Sequence, residues 1–269
     1  MVRNLIIFAW FFFCSVFGFY ARASEKIVLA HYMPWYSAKP EVGEWGWHWT
    51  MDHSDPNVVG WSGKRKIASH EYPLIGLYDS GDISVLECQV QQMKLAGIDG
   101  VIIDWYGIHN LNDYRLIHEN TKKLVSVIKR AGLQFAICFE DRSILEALKK
   151  GEIKESEVII RGRESIQWVA QNWFVEDAYL KINGKPVLLV FGPLALNNGK
   201  LKKAVETLDP IPTTFLLHHL VKAGGGDSSF AWPPVDGGKR VSEIEWKKSL
   251  QSIYDTGSKI LNPIPVAFP

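Results

Sequence analysis

The chain has 269 residues, 47% of them hydrophobic, and a formal net charge of +1. That length suits one α/β barrel, and no low-complexity linker or solenoid-spaced repeat divides it. The balanced charge excludes the basic face with which proteins hold nucleic acid or anionic membranes, and three cysteines with no Cys/His spacing exclude a disulfide framework and a zinc site.

Residues 1–23 read as a secretory signal. Arg3 supplies the positive start, Leu5–Tyr20 an apolar run rich in Phe, and Ala21-Arg22-Ala23 a small-x-small cleavage site. The run is short for a bilayer span, so cleavage is expected over retention as an anchor. The protein is then secreted or periplasmic, with no membrane contact after cleavage. Residues 24–269 form one domain with 28 basic and 29 acidic residues. Cys88, in a helical pattern, and Cys138, in an apolar strand, are expected as two buried thiols.

In chain order, Ile27–Tyr32 reads as a first strand, followed by an irregular aromatic loop that ends near Gly76. Asp82 or Ser84 can cap a helix whose apolar face holds Leu86, Val90, Met93 and Leu95, with Gly97 as its stop. Gly100–Asp104 is a β-branched second strand of the kind buried on both faces. A helix over Asp113–Ala131 ends at Gly132, and Leu133–Phe139 is the third strand. Ser143–Lys150 and Glu164–Phe174 read as helices around a charged connection. Asn183-Gly184 turns the chain into Pro186–Phe191, the fourth strand. A short helix over Lys200–Leu208 leads to a fifth strand, Thr213–Leu220. Ser229–Trp232 is a weak sixth, Ser242–Asp255 an amphipathic helix, and Ile260–Phe268 a seventh strand. Repeated strand–helix units predict a parallel sheet. Seven strands are one short of a closed (β/α)8 TIM-barrel.

Five of the eleven tryptophans lie between Trp35 and Trp61. So many indoles among Gly, Pro, His and Asp suit a sugar, which offers apolar C–H faces to the rings and hydroxyls to their polar edges. The alternative is an aromatic subdomain that packs on the barrel. Trp35, Tyr36, Trp47 and Trp49 are the stacking candidates, with His48 among them. Barrel sites sit at the C-terminal ends of the strands. There the sequence places His31 and Tyr32, then Asp104 with Trp105 and Tyr106, then Glu140. A charge directly after buried aliphatics needs a partner or a cleft, so Asp104 and Glu140 are the catalytic candidates, against a role in capping or loop bracing. Asp141 reads as the cap of the next helix. His218 and His219 end the fifth strand, where alternation lets at most one line the cleft; His218 is the candidate. Gly224-Gly225-Gly226-Asp227 lacks a phosphate-cradling context. No cofactor or metal is expected.

The motifs His31–Tyr36, Trp45–Trp49, Tyr72–Ser80, Ala96–Gly107 and Ala136–Asp141, in this order and spacing, resemble the glycoside hydrolase family 71 and 99 group, which includes endo-α-mannosidases and endomannanases. The resemblance spans most of residues 27–269. It implies a (β/α)8 barrel, an oligosaccharide or polysaccharide substrate with α-mannan favoured, and two carboxylates in a Glu-x-x-Glu-like element at the last strand. It also implies retention of configuration through the sugar's own 2-hydroxyl. Neither Glu-x-x-Glu spelling here sits at a late strand: Glu152–Glu155 reads as a solvated connector, and Glu41–Glu44 is a binding candidate beside the tryptophans. The resemblance therefore predicts a secreted glycoside hydrolase that is C-terminally truncated before its last strand. The alternative is a non-catalytic carbohydrate-binding protein on the same barrel. The sequence leaves the oligomeric state open.

Overall fold

A computed structural model describes residues 26–233 and 242–265 of the chain. The apolar leader expected over residues 1–23 lies outside them, as do the last residues of the strand expected over Ile260–Phe268.

β1 (Leu29–Tyr32) runs into the aromatic loop, which contains two single-turn helices, α1 (Lys39–Val42) and α2 (Trp47–Thr50). α3 (Ile83–Leu95) leads to β2 (Gly100–Trp105), and α4 (Tyr114–Ala131) to β3 (Gln134–Phe139). α5 (Arg142–Lys149) and α6 (Val158–Asn172) then precede a hairpin of β4 (Lys181–Ile182) and β5 (Lys185–Val190). The remaining described elements are α7 (Lys200–Val205), β6 (Thr213–Leu217), α8 (Val221–Gly224), β7 (Ser228–Phe230) and α9 (Glu243–Gly257).

The sheet runs β1-β2-β3-β5-β6-β7, with β4 added antiparallel to β5. All pairings along that path are parallel, as strands joined by helices require. Alternation divides each strand between two layers. Val101, Ile103, Phe135, Ile137, Phe139, Leu188, Val190 and Leu216 pack outward in one cluster with residues of α3, α4, α6 and α7. Ile102, Ala136, Cys138, Val187, Leu189, Phe215 and Phe230 fill the inside of the curl. The two ends of the strand order meet there, with the His31 ring stacked on Phe230 at 5.9 Å. Tyr179, in the outer cluster, ties β3 to β5, its hydroxyl accepting from the Ile137 amide and donating to the Val187 carbonyl.

The local signals act as expected at several ends. The Asp82 carboxylate caps α3 through the Ser84 amide, Gly132 ends α4 at a positive φ of 72°, and Ser242 and Glu245 form a capping box at α9. Other expectations are corrected. Leu95 is 88% exposed, because α3 needs only Leu86, Val90 and Met93 for its packed face. Cys88 is exposed and Cys138 buried, both as free thiols. β6 stops at Leu217, and His218–Leu220 form a 3-10 turn instead of more strand. Among the described residues of the expected seventh strand, Ile264 alone forms a bridge, parallel to Phe230, so the described barrel wall has six full parallel strands. Proline at 263 and 265 removes the amides a longer ladder would use. No helix among the described residues is long and apolar enough to cross a membrane.

At Gly100 an added Cβ would stand 2.4 Å from the Gln134 carbonyl oxygen, a backbone atom held in the β2–β3 ladder. Gly100→Ala is therefore expected to lower stability by about 1–3 kcal/mol through overpacking. Equilibrium unfolding in urea reads this; an unchanged midpoint would mean that the ladder yields without cost.

Candidate active site

Three side chains converge where β2 and β3 end. Asp104 pairs in register with Cys138, and the ladder continues one step beyond the strands, the Glu140 amide donating to the Trp105 carbonyl at 2.8 Å. Asp104 and Glu140 therefore share the inner face with Ile102, Ala136 and Cys138. Both are nearly enclosed, at 4% and 7% exposure. Their carboxyl groups and the Tyr106 hydroxyl stand within hydrogen-bonding reach of one another.

Two carboxylates so close and so buried cannot both carry charge. Burial first, then the Glu140 charge and its hydrogen bond, drive Asp104 well above the ordinary carboxylate range. Burial also raises Glu140, to about 7, against the lowering field of Arg142. The directions describe a pair in which Asp104 keeps its proton and Glu140 carries a second one up to about pH 7. Burial and both carboxylates keep the Tyr106 hydroxyl protonated. The Tyr106 ring is fixed by a near-parallel stack on Tyr114 at 4.6 Å.

Asp141 sits at the N-cap of α5, but no cap hydrogen bond forms there. Its carboxylate is fully buried and instead accepts from the Leu194 and Leu196 amides, each at 2.8 Å. Gly192 is needed for this approach, since a Cβ there would lie 2.5 Å from Asp141 Oδ1. Asp141 thus clamps the loop after β5 to the end of β3. The fourth buried acid, Asp79, braces the aromatic loop through the Ala38 and Gly81 amides.

The structure separates the remaining candidates. His31 faces the inside: its ring stacks on Phe230 and meets the edge of Trp232 at 4.9 Å, and burial lowers its pKa to about 4. His31 Nδ1 and Trp35 Nε1 are buried with no hydrogen-bond partner, an arrangement that calls for an explanation in a folded protein. Tyr32 is the next residue in the strand and so points the opposite way, its hydroxyl bound to Gln89 on α3. Trp105 is turned outward for the same reason, fully buried with its indole N–H on His118. Trp49 is also fully buried, packed on Tyr36 at 4.0 Å, which leaves it no ring face for a ligand. His48 is enclosed too, stacked flat on Trp35 at 4.2 Å and held neutral by burial. The aromatic run therefore builds its own small core, and Trp47 remains open.

Trp47 is 51% exposed, and its N–H is anchored on Asp52. With Trp45, Glu44 and the start of α4 it lines a groove of about 720 Å³. Trp45 belongs to this groove and was missed in the sequence, although it opens the Trp-Gly-Trp-His-Trp motif. Glu152 and Glu155 are exposed, as a solvated connector should be. His218 lines a second cavity, of about 480 Å³, and so does His219, because the strand has ended before them and alternation no longer applies. Among the described residues no group of His, Cys, Asp and Glu is placed to hold a metal ion.

Replacing Asp141 with Ala leaves buried amides without an acceptor, and a loss of about 2–4 kcal/mol is expected in urea unfolding; a loss below about 0.5 kcal/mol would remove the clamp. Glu140 has the opposite sign. Its folded pKa lies above the unfolded value, so it costs nothing at acid pH and destabilises progressively up to about pH 7. Glu140→Gln should therefore raise the melting temperature at pH 8 and leave it unchanged at pH 4. Equal effects at both pH values would show that Glu140 is not held protonated.

No protein-family model matches the chain, and no curated protein matches it in sequence. Solved structures do match in shape. The GH99 endo-alpha-mannosidase from Bacteroides thetaiotaomicron aligns with a TM-score of 0.57 at 17% identity, over 88% of this chain and 70% of its own. Its complex with BIS-TRIS-propane gives 0.56 at 16%, over 89% and 68%. A glycoside hydrolase-like protein gives 0.55 at 13%, over 75% and 67%. The curled parallel sheet with its outer helices is thus the fold of the GH99 endo-alpha-mannosidase, an incomplete (β/α)8 barrel in the residues described.

Proposed function

We propose that this protein is an exported glycoside hydrolase that acts on an α-linked glycan, with α-mannan as the favoured substrate. The observation that carries the reading is the buried, protonated carboxyl pair of Asp104 and Glu140 at the mouth of a barrel edged by aromatic rings. The likeness in fold to a GH99 endo-alpha-mannosidase supports it. The apolar leader read over residues 1–23 supports export.

Cleavage of a glycosidic bond requires an acid to protonate the departing oxygen. An acid whose pKa lies near neutral pH is half loaded and still a competent donor. Glu140, raised to about 7 and less buried than Asp104, is that donor in this reading. Asp104 keeps its own proton, and Tyr106 stabilises the carboxylate left after transfer. Neutral His31 offers Nδ1 to a sugar hydroxyl, and the open face of Trp47 takes a pyranose ring.

One observation favours a second reading. Carboxyl pairs acting on opposite sides of one glycosidic bond stand about 5–5.5 Å apart in retaining enzymes and about 6.5–9.5 Å apart in inverting ones. Asp104 and Glu140 are in mutual hydrogen-bond reach, closer than either spacing, so together they form one acid and not an acid and a nucleophile. A sugar-binding protein without turnover is the alternative.

Reducing-end release from α-mannan and α-glucan oligosaccharides decides between them. Glu140→Gln should cut turnover by at least about a hundredfold while binding persists. The wild-type rate should fall as pH rises through about 7, where the donor loses its proton. Saturable binding with no release would select the binding protein, and turnover untouched by Glu140→Gln would remove Glu140 from the chemistry.

A further inference from the structure

The cavity of about 480 Å³ opens between the ends of β5, β6 and β7 and the helix α9, with Arg142, two residues beyond Glu140, in its lining. Its size is that of a small-ligand pocket. Phe191, Leu217 and Trp232 give it apolar walls. α9 closes over His218, with Gly257 so near that a Cβ would lie 3.0 Å from Nε2. His218 itself is occupied, its Nδ1 within 2.7 Å of Ser229 Oγ, and burial lowers its pKa. Among the described residues the fixed charge in the lining is Arg142.

Arg142 follows directly on Glu140 and Asp141, and its field lowers both. Neither acid forms an ion pair with it. Asp141 is committed to the amides of the loop after β5, and Glu140 to Asp104 and Tyr106. Among the described residues Arg142 has no ion-pair or hydrogen-bond partner, and no carboxylate lines the cavity with it. A guanidinium at the rim of an apolar recess, with the adjacent acids used elsewhere, is a ready partner for an oxyanion, which its planar fork can hold through two parallel hydrogen bonds.

We propose that this cavity is a subsite for an anionic group on the glycan, a uronic acid carboxylate or a sulfate ester, with Arg142 as its counter-charge. The proposal rests on the glycan-directed reading above and adds to it a charge preference. The sugar bearing the anion packs on the apolar wall while the anion meets Arg142.

Titration calorimetry on the full chain tests this with three probes: α-mannotetraose, the same tetrasaccharide carrying a 6-sulfate, and one ending in α-linked glucuronic acid. At least one charged probe should bind at least about tenfold tighter than the neutral one. The ratio of charged to neutral affinity should fall to about one in Arg142→Gln, persist in part in Arg142→Lys, and shrink as salt rises. Whichever charged probe gains identifies the anion. Equal affinity for all three probes, or a charge preference that survives Arg142→Gln, overturns the subsite and leaves the glycan reading standing. Binding of none of them overturns both.

Discussion

The β2–β3 ladder places two carboxyl groups on one inner face at the point where both strands end, and much of the site's chemistry follows from that register. Water cannot reach Asp104 or Glu140 well enough to support two charges. The pair must therefore hold a proton at a pH where an exposed carboxylate has none. A slip of one residue in either strand would turn one of the two towards the helices and remove the constraint. The outward neighbours resist such a slip, because Trp105 and Phe139 are locked into the helix layer.

Four buried acids surround this region, and they divide into two kinds. Asp79 and Asp141 spend their oxygens on backbone amides and hold loops in place. Asp104 and Glu140 have each other and Tyr106, and no amide is engaged in stabilising their charge. Amide hydrogen bonds oppose the burial that raises Asp141, whereas the pair weakens the fold above the pH at which Glu140 loses its proton. Destabilisation tolerated at a strand end is the pattern expected of a working site, where stability is exchanged for a group held in an unusual state. The clamp at Asp141 and the acid at Glu140 are adjacent in the chain, so the same turn both fixes the wall of the mouth and presents the proton.

The aromatic loop shows a similar division. Rings that look equivalent in sequence are distributed by packing: Trp49 and His48 make a core, Trp35 and Tyr36 bridge to it, and Trp47 faces outward. Indoles are large enough that a loop without regular structure can be stabilised by a few of them stacked together. The cost is that fewer remain for a ligand than the sequence offers. Arg142 is the counterpart, an ordinary basic residue in a helix's first turn that gains its meaning from the cavity beside it.

The sequence alone determined the alternation of strands and helices, the parallel sheet, the helix start at Asp82 and stop at Gly132, and the placing of Asp104 and Glu140 at strand ends. These are local or periodic properties, written in neighbouring residues. It also held the alternation that turns Tyr32 and Trp105 away from the mouth, although their closeness to polar neighbours obscured it. Only the tertiary structure decided that the two carboxyls touch, that Asp141 braces a loop more than fifty residues away, and that β6 ends before its histidines. The protonation of the pair and the emptying of one indole face from a crowded loop depend on distances between segments remote in the chain. Those distances are set by how the layers pack, and no local pattern encodes them.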